Sequence, residues 1–163
     1  TDIMRFIAGG DPLETYAAGG NYYQSTGVID NLTAVFRFDN GVAGNLVQGD
    51  CSTPPHTSKF FMQVFAEGKS ITISERLTEL IYREAGKEPQ TYRGTESGFL
   101  EENKAFLKCI QEGTEATIDH IDGLYATLMI IQAIESLESG KPEPIQSVVE
   151  QAVSAIEQKG ENQ

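Results

Sequence analysis

The sequence predicts an α+β protein: an open, mainly antiparallel sheet of five or more strands with helices packed on one face. Apolar and polar residues alternate between about residue 28 and residue 83, which is typical of strands. Helical spacing replaces this alternation after Gly94. Only short turns separate the strand-like stretches, and short turns join antiparallel neighbours. Strands in one run followed by helices in another are the pattern of the α+β class.

Length, charge and cysteine content limit the possible functions. The 163 residues fit one domain, predicted to span 1–163. With 24 Asp and Glu against 12 Lys and Arg, the net charge is −12. Such a chain repels nucleic-acid phosphates and anionic lipids, so we expect no nucleic acid and no membrane as partners. Cys51 and Cys109 lack the spacing of a zinc site and indicate reduced thiols in a cytoplasmic protein.

The first nine residues predict the end of a helix. Apolar residues from Ile3 to Ile7 recur at helical spacing, and the Gly9–Pro12 stretch ends the helix. Because the chain opens at Thr1 without an initiator Met, we expect residues 1–9 to be the last turns of an inter-domain helix that begins further upstream. Asp2 and Arg5 are spaced to pair on this helix, for about 0.2–0.5 kcal/mol.

Residues 14–93 are predicted to be mainly strands. One strand has an apolar face formed by alternate residues from Leu32 to Phe38, and Asp39–Gly41 predicts a hairpin turn into a returning strand, Val42–Cys51. Phe60–Ala66 carries apolar residues on both sides, which predicts a third strand with both faces covered. Two further strands are expected around Ile71–Ile73 and at Leu77–Arg83.

Residues 97–158 are predicted to be mainly helical. An apolar stripe from Phe99 to Ile110 ends at Gly113. The next helix, Ile121–Leu137, has Asp122 as its expected N-cap and Gly140 as its stop, and its apolar composition predicts burial between layers. A third, amphipathic helix is expected to begin at Pro144 and to lie on the surface.

Few residues suggest chemistry by themselves. The signatures of nucleotide-binding, serine-hydrolase and zinc-protease sites are absent from the sequence. His120 leads into a helix and is predicted to be structural. His56 lies in the loop Ser52–Thr57 and is either solvated or placed over a ligand. A hydrolytic site combining His56 with Cys51 or Ser52 lacks an orienting partner.

Four segments, taken together, resemble one protein family. Asp2–Gly9 is similar to a helix of the form H-x-x-D-[LI]-x-R-[FW]-x-x-G, whose His would precede Thr1. Phe36–Leu46 is close to the hairpin F-x-N-G-[AV]-x-G-x-[LI]. Val64–Ile71 is similar to V-x-G-x-x-G-x-[IL], with Ala66 in place of the first Gly and the turn glycine shifted to Gly68.

The fourth segment contains F-x-x-x-[IV]-x-x-G at Phe106–Gly113, D-[GA]-L at Asp122–Leu124 and A-x-x-S-x-x-x-G at Ala133–Gly140. The order of these segments resembles the C-terminal domain of the Gfo/Idh/MocA oxidoreductases, the group of glucose-fructose oxidoreductase and inositol dehydrogenase. The resemblance implies an open sheet backed by helices, with the other sheet face packed against a second subunit. It also implies an N-terminal Rossmann domain that binds NAD or NADP in the full-length protein.

The resemblance implies a function for the parent and a supporting role for this chain. The parent would be an NAD(P)-dependent oxidoreductase acting on a sugar, cyclitol or related polyol, with its catalytic Lys, Asp and His upstream of Thr1. This chain would then be the substrate-side and oligomerisation domain, inactive alone, without catalytic, cofactor-binding or metal-binding residues, and assembled as a homodimer or tetramer through the open sheet face. Asp2 and Arg5 match supporting positions, and His56 is a candidate substrate contact. The alternative is a stand-alone, non-catalytic α+β binding or assembly module.

Overall fold

The computed structural model describes residues 1–50, 60–94 and 98–160. In chain order the elements are α1 (Asp2–Ala8), β1 (Pro12–Gly20), β2 (Asn31–Phe38), β3 (Ala43–Gly49), β4 (Met62–Ala66), β5 (Lys69–Ser74), a 3-10 turn (Glu75–Leu77), β6 (Glu79–Glu84), β7 (Gln90–Arg93), α2 (Phe99–Glu112), α3 (His120–Ser139), β8 (Glu143–Pro144) and α4 (Gln146–Gly160). They form two compact units: Thr1–Cys51 with Thr117–Gln163, and Ser52–Ala116.

Each unit contains one antiparallel sheet of four described strands. The order is β3-β2-β1-β8 in the first unit and β4-β5-β6-β7 in the second. The α+β class and the antiparallel pairing are therefore confirmed, and the single sheet of five or more strands is corrected to two sheets of four. Twelve residues, 50–61, separate β3 from β4, and a connection of that length does not impose hairpin pairing between the strands it joins.

The first sheet has one buried face, as the alternation in β2 predicts. Leu32, Ala34, Phe36 and Phe38 are at most 4% exposed. They pack in a core completed by Ala17, Tyr125, Met129, Ala133, Ile145 and Val149. Strand β1 buries the small side chains of Thr15 and Ala17, and its weak alternation explains why the sequence pattern does not identify this strand individually.

Helix α3 packs on this sheet and differs in two ways from its prediction. Its N-cap is Asp119, whose carboxylate accepts from the N–H groups of Ile121 and Asp122. The Asp122 carboxylate in turn accepts from the Asp119 N–H, which completes a capping box. Its buried side chains form one stripe, and Ile131 on another side is 43% exposed. The helix therefore covers one sheet face and is not buried between two layers. It ends before Gly140 (φ 68°), as predicted.

The Ser136 hydroxyl joins this helix to the sheet. It accepts a hydrogen bond from the Ala17 N–H at 3.0 Å and donates one to the Lys141 carbonyl at 2.6 Å. The short strand β8 pairs with β1 immediately afterwards. Pro144 belongs to this strand, so α4 begins at Gln146 and not at Pro144 as predicted.

The second unit contains the predicted turn at Gly68, which has φ 72°. Its strand β4 alternates as expected, but Phe61 and Phe65 are 46% and 73% exposed. The predicted cover on that side is thus not provided by the described part of this chain. Helix α2 stops before Gly113 as predicted, with its apolar stripe exposed. Across residues 1–50, 60–94 and 98–160, no helix combines the length and apolar character needed to span a membrane.

Candidate functional site

Arg5 is the centre of a polar cluster between α1 and α3. Its Nε and Nη2 donate to Asp11 Oδ1 at 3.1 and 2.8 Å, and its Nη1 donates to Asp122 Oδ1. The guanidinium carbon lies 4.5 Å from the centroid of the Tyr125 ring, in cation–π geometry. In the described part of the chain the ion pairs of Arg5 are with these two carboxylates. The predicted pair with Asp2 is therefore wrong.

The turn after α1 brings Asp11 back to Arg5. Gly9 ends the helix in the left-handed conformation, with φ 65°, a conformation that glycine adopts without steric cost. At Gly10 a Cβ atom would lie 2.5 Å from Asp39 Oδ1, so a larger residue there would displace the side chains of the β2–β3 turn. Reciprocal bonds of 3.0 Å, from the Asp11 N–H to the Asp39 carboxylate and from the Asp39 N–H to the Asp11 carbonyl, hold the turn.

Asp122 serves both the helix cap and the Arg5 cluster. Its Oδ2 accepts from the Asp119 N–H at 2.8 Å, and its Oδ1 accepts from Arg5. The Asp119 N–H and, after it, the Arg5 guanidinium lower the pKa of Asp122. Burial opposes the charge of Arg5, but the hydrogen bonds to Asp122 and Asp11 raise its pKa overall. The pair is therefore ionised at neutral pH.

Tyr125 forms the floor of the cluster and is 6% exposed. Burial, followed by the negative charge of Asp11, raises its pKa to about 12. The phenol thus keeps its proton at neutral pH, so it can donate a hydrogen bond but does not act as a phenolate base.

An open concavity of about 410 Å³ adjoins the cluster, lined by Arg5, Phe6, Gly9, Gly10, Asp11 and Asp39. The Phe6 ring is 76% exposed. The lining provides carboxylate oxygens and an aromatic ring, which suit hydroxyl groups and C–H surfaces. It does not pair a nucleophile with a base. Among the residues that the structure describes, no group of three His, Cys, Asp or Glu side chains is placed to hold a metal.

The other predicted site residues lie apart from this cluster. Asp2 is exposed in the first turn of α1. Next to it, the Thr1 hydroxyl donates to the Ala126 carbonyl at 3.0 Å, so both ends of α1 are tied to α3. His56 lies outside the described residues.

The partners of Arg5 do not follow from the sequence pattern. Asp122 is 117 positions away from Arg5, and its sequence context indicates only a helix cap and a family motif. Tyr125 lies within the apolar helix predicted at Ile121–Leu137, where nothing marks it as a partner of Arg5. Asp11 is the one partner of Arg5 that local sequence could indicate. It lies in the Gly9–Pro12 turn, and a turn that reverses the chain can bring the Asp11 side chain back beside the preceding helix.

Comparison with known proteins supports the predicted resemblance. Residues 1–72 match the family model of the GFO/IDH/MocA C-terminal domain. Over these residues the chain is similar to that family. No curated protein matches the chain significantly.

Several solved structures share the fold of this chain. A levoglucosan dehydrogenase in complex with NADH aligns with a TM-score of 0.76 and 18% identity, covering 88% of this chain and 47% of its own. An aldose-aldose oxidoreductase from Caulobacter crescentus complexed with glycerol gives 0.73 and 17%, covering 88% and 44%. An oxidoreductase from Agrobacterium radiobacter in complex with NAD+, L-tartaric acid and magnesium gives 0.75 and 17%, covering 90% and 47%. The chain thus spans less than half the length of these proteins.

Proposed function

We propose that this chain is the substrate-side and oligomerisation domain of an NAD(P)-dependent oxidoreductase acting on a sugar, cyclitol or related polyol. The family match over residues 1–72 is the observation that carries the proposal. The likeness in fold to a levoglucosan dehydrogenase with NADH and to an aldose-aldose oxidoreductase with glycerol supports the substrate class. Those proteins are more than twice as long as the aligned region, and we assign the nicotinamide site to the remainder of the parent.

The role proposed for Arg5 is to position α1. The helix is fastened to α3 at Thr1 and at Arg5, which fixes its direction and the place where the chain before Thr1 joins it. Asp2, exposed beside that junction, is proposed to support the same region. Neither residue is proposed to be catalytic. The nicotinamide, when bound by the parent, accepts or donates a hydride, and the protein orients the substrate toward it.

The proposal is tested with the complete reading frame that contains these 163 residues. We expect reduction of NAD or NADP, followed by absorbance, with at least one member of a panel of neutral sugars, cyclitols and polyols. An Arg5→Met variant should lower kcat/KM by roughly tenfold or more, whereas Arg37→Met, which removes an exposed pair with Glu14, should leave it unchanged. If no member of the panel supports reduction of either NAD or NADP, the proposal is contradicted.

The alternative is a non-catalytic binding or assembly module. A complete reading frame that encodes no dinucleotide-binding domain would favour this alternative. Under our proposal the present chain is inactive alone and binds neither NAD nor NADP, because its sequence has no glycine-rich strand-to-helix turn for a pyrophosphate. Calorimetric titration with both dinucleotides checks this, and micromolar affinity for either would contradict it.

We further propose a homodimer, or a tetramer built from it, in which a second copy covers exposed apolar sheet surface. In the first unit Tyr16, Val35 and Val47 are 49%, 45% and 77% exposed on the face of the sheet that turns away from α3. In the second unit Phe61, immediately before β4, and Phe65, within β4, are both exposed. A two-fold axis lets one apolar patch cover its own copy.

Sedimentation of the chain at tens of micromolar tests the assembly. We expect a dimer or tetramer that is dissociated by Val35→Glu or Phe65→Glu, because an unpaired carboxylate is strongly disfavoured in a buried contact. Thr33 lies on the same exposed side of β2 as Val35. Sedimentation of a Thr33→Glu variant therefore shows whether the interface extends to Thr33. A monodisperse monomer of the unmodified chain would contradict the assembly while leaving the enzymatic proposal intact.

A further inference from the structure

The connection between β1 and β2 is held in one conformation by a buried carboxylate. Asp30 is 5% exposed. Its oxygens accept hydrogen bonds from three consecutive backbone N–H groups, those of Tyr22 (2.8 Å), Tyr23 (2.7 Å) and Gln24 (2.6 Å), and from the Asn31 side chain (2.8 Å). These donors satisfy the buried charge and at the same time fix the backbone that carries the two tyrosines.

Further bonds attach this connection to the end of the sheet. The Asp30 N–H donates to the Gly20 carbonyl at 3.2 Å, and the Asp50 N–H donates to the Asp30 carbonyl at 2.9 Å. Within the loop, the Asn21 side-chain amide donates to the Val28 carbonyl. The backbone of the loop is therefore held by groups of the chain itself.

Two aromatic rings are nevertheless left in solvent on this ordered loop. Tyr22 is 73% exposed and Tyr23 is 59% exposed. The Tyr22 ring lies over Gly20, where an added Cβ would be 3.1 Å from the ring atom Cζ and 3.2 Å from Cε1. The glycine backbone thus supports Tyr22 on one side while most of the side chain stays open to solvent.

We propose that Tyr22, with Tyr23 beside it, forms a stacking platform for the pyranose ring of a neutral sugar. The substrate class rests on the proposed function, but the site does not. A π face binds the C–H face of a pyranose, and tyrosine supplies rigid contact area at a low entropy cost. Since the chain's own hydrogen bonds already hold the loop, a ligand that binds there does not incur the cost of fixing it.

The charge around the loop selects against anionic ligands. Asp30 and Asp50 lie on or beside it, and the whole chain has a net charge of −12. A nucleotide or another phosphate-bearing ring would be repelled. Gln24, whose side-chain amide lies 3.4 Å from the Asp50 carboxylate in an exposed contact, is near enough to hydrogen-bond sugar hydroxyls. The charge therefore disfavours anionic ligands, and the proposed function selects neutral carbohydrate from the classes that remain.

The test measures binding by the chain itself. Saturation-transfer NMR with methyl β-D-glucopyranoside should show transfer to the protons of the sugar ring. Tyr22→Ala should reduce the affinity roughly three- to tenfold, whereas Tyr22→Phe, which keeps the ring, should bind like the unmodified chain. Tyr92→Ala is the matched control, because Tyr92 is 56% exposed on β7 in the other unit.

Two results would overturn the proposal: no transfer to the pyranoside, or equal transfer in the unmodified chain and in a folded Tyr22→Ala variant. Far-UV circular dichroism verifies that the variants fold. If Tyr22→Ala changes only the sedimentation of the chain, then Tyr22 is a subunit contact and the sugar platform is wrong. Binding is measured here without turnover, so an inactive parent enzyme would refute the proposed function and leave this site standing.

Discussion

Replacing Arg5 by methionine tests whether the polar cluster fastens α1 to the rest of the first unit. Methionine keeps an unbranched, apolar stem that still packs on the Tyr125 ring. It removes the three hydrogen bonds that the Arg5 guanidinium donates to Asp11 and Asp122. Asp122 keeps its bond from the Asp119 N–H. The substitution therefore isolates the guanidinium more cleanly than alanine would.

The expected loss follows from the exposure of the three groups. The Arg5 side chain is 21% exposed, against 36% for Asp11 and 26% for Asp122. Hydrogen bonds between charged groups contribute about 1.5–3 kcal/mol when they are buried. Partial solvation reduces each of the two ion pairs of Arg5 to about 1 kcal/mol. The contact with the Tyr125 face adds about 0.5–1 kcal/mol. We expect Arg5→Met to lower the free energy of unfolding by roughly 2–3 kcal/mol.

Urea unfolding followed by circular dichroism and tyrosine fluorescence measures this loss, and the chain has no tryptophan to obscure the tyrosine signal. Arg37→Met is the matched control, because its pair with Glu14 is 60% and 43% exposed and should contribute less than about 1 kcal/mol. A double-mutant cycle with Asp122→Asn should give a coupling of about 1–2 kcal/mol. Equal losses in Arg5→Met and Arg37→Met would refute the anchoring role.

Three further outcomes are expected. The N–H groups of Gln24 and its neighbours lower the pKa of Asp30 below its ordinary value of 3.8. The ionised Asp30 therefore stabilises the fold fully above pH 3.8, and this stabilisation is lost as the pH falls below 3.8. In an Asp30→Asn variant the urea midpoint should fall less steeply on acidification. Gly19→Ala places a Cβ 2.1 Å from the Asn31 carbonyl oxygen and should cost about 1–3 kcal/mol or more, whereas Gly123→Ala in α3, with open space around it, should stabilise by up to about 1 kcal/mol; the reverse order in urea unfolding would contradict the packing. In the complete enzyme, His56→Ala should lower kcat/KM about tenfold without changing the unfolding temperature, and unchanged kinetics would assign His56 to a solvated loop.

The polar cluster was only partly predictable. The family resemblance identified Arg5 as a supporting residue, and its place on a short helix followed from local spacing. Its partner was assigned to Asp2, because a sequence pattern ranks neighbours at three and four positions first. The actual partners are supplied by a turn at Gly9–Asp11 and by α3, whose approach depends on the burial of Tyr125 and Met129 against the sheet.

The Asp30 loop shows the same limit. Nothing in the sequence from Gly20 to Asp30 distinguishes a solvated aspartate from one that accepts three consecutive backbone N–H groups. The bonds require the chain to curl around the carboxylate, and this curl is possible because β1 and β2 are already paired on either side of the loop.

The sequence by itself determined the local elements of this protein: the buried face of β2, the β2–β3 turn at Asp39–Gly41, the ends of α2 and α3 at Gly113 and Gly140, and the resemblance confirmed by the match over residues 1–72. These features depend on residues a few positions apart, whose periodicity and backbone preferences act before any tertiary contact. Only the tertiary structure decided that the strands divide into two sheets and that Arg5 pairs with Asp11 and Asp122. Strand order and long-range ion pairs depend on which surfaces meet across the fold, because a carboxylate is desolvated and paired only by the packing around it.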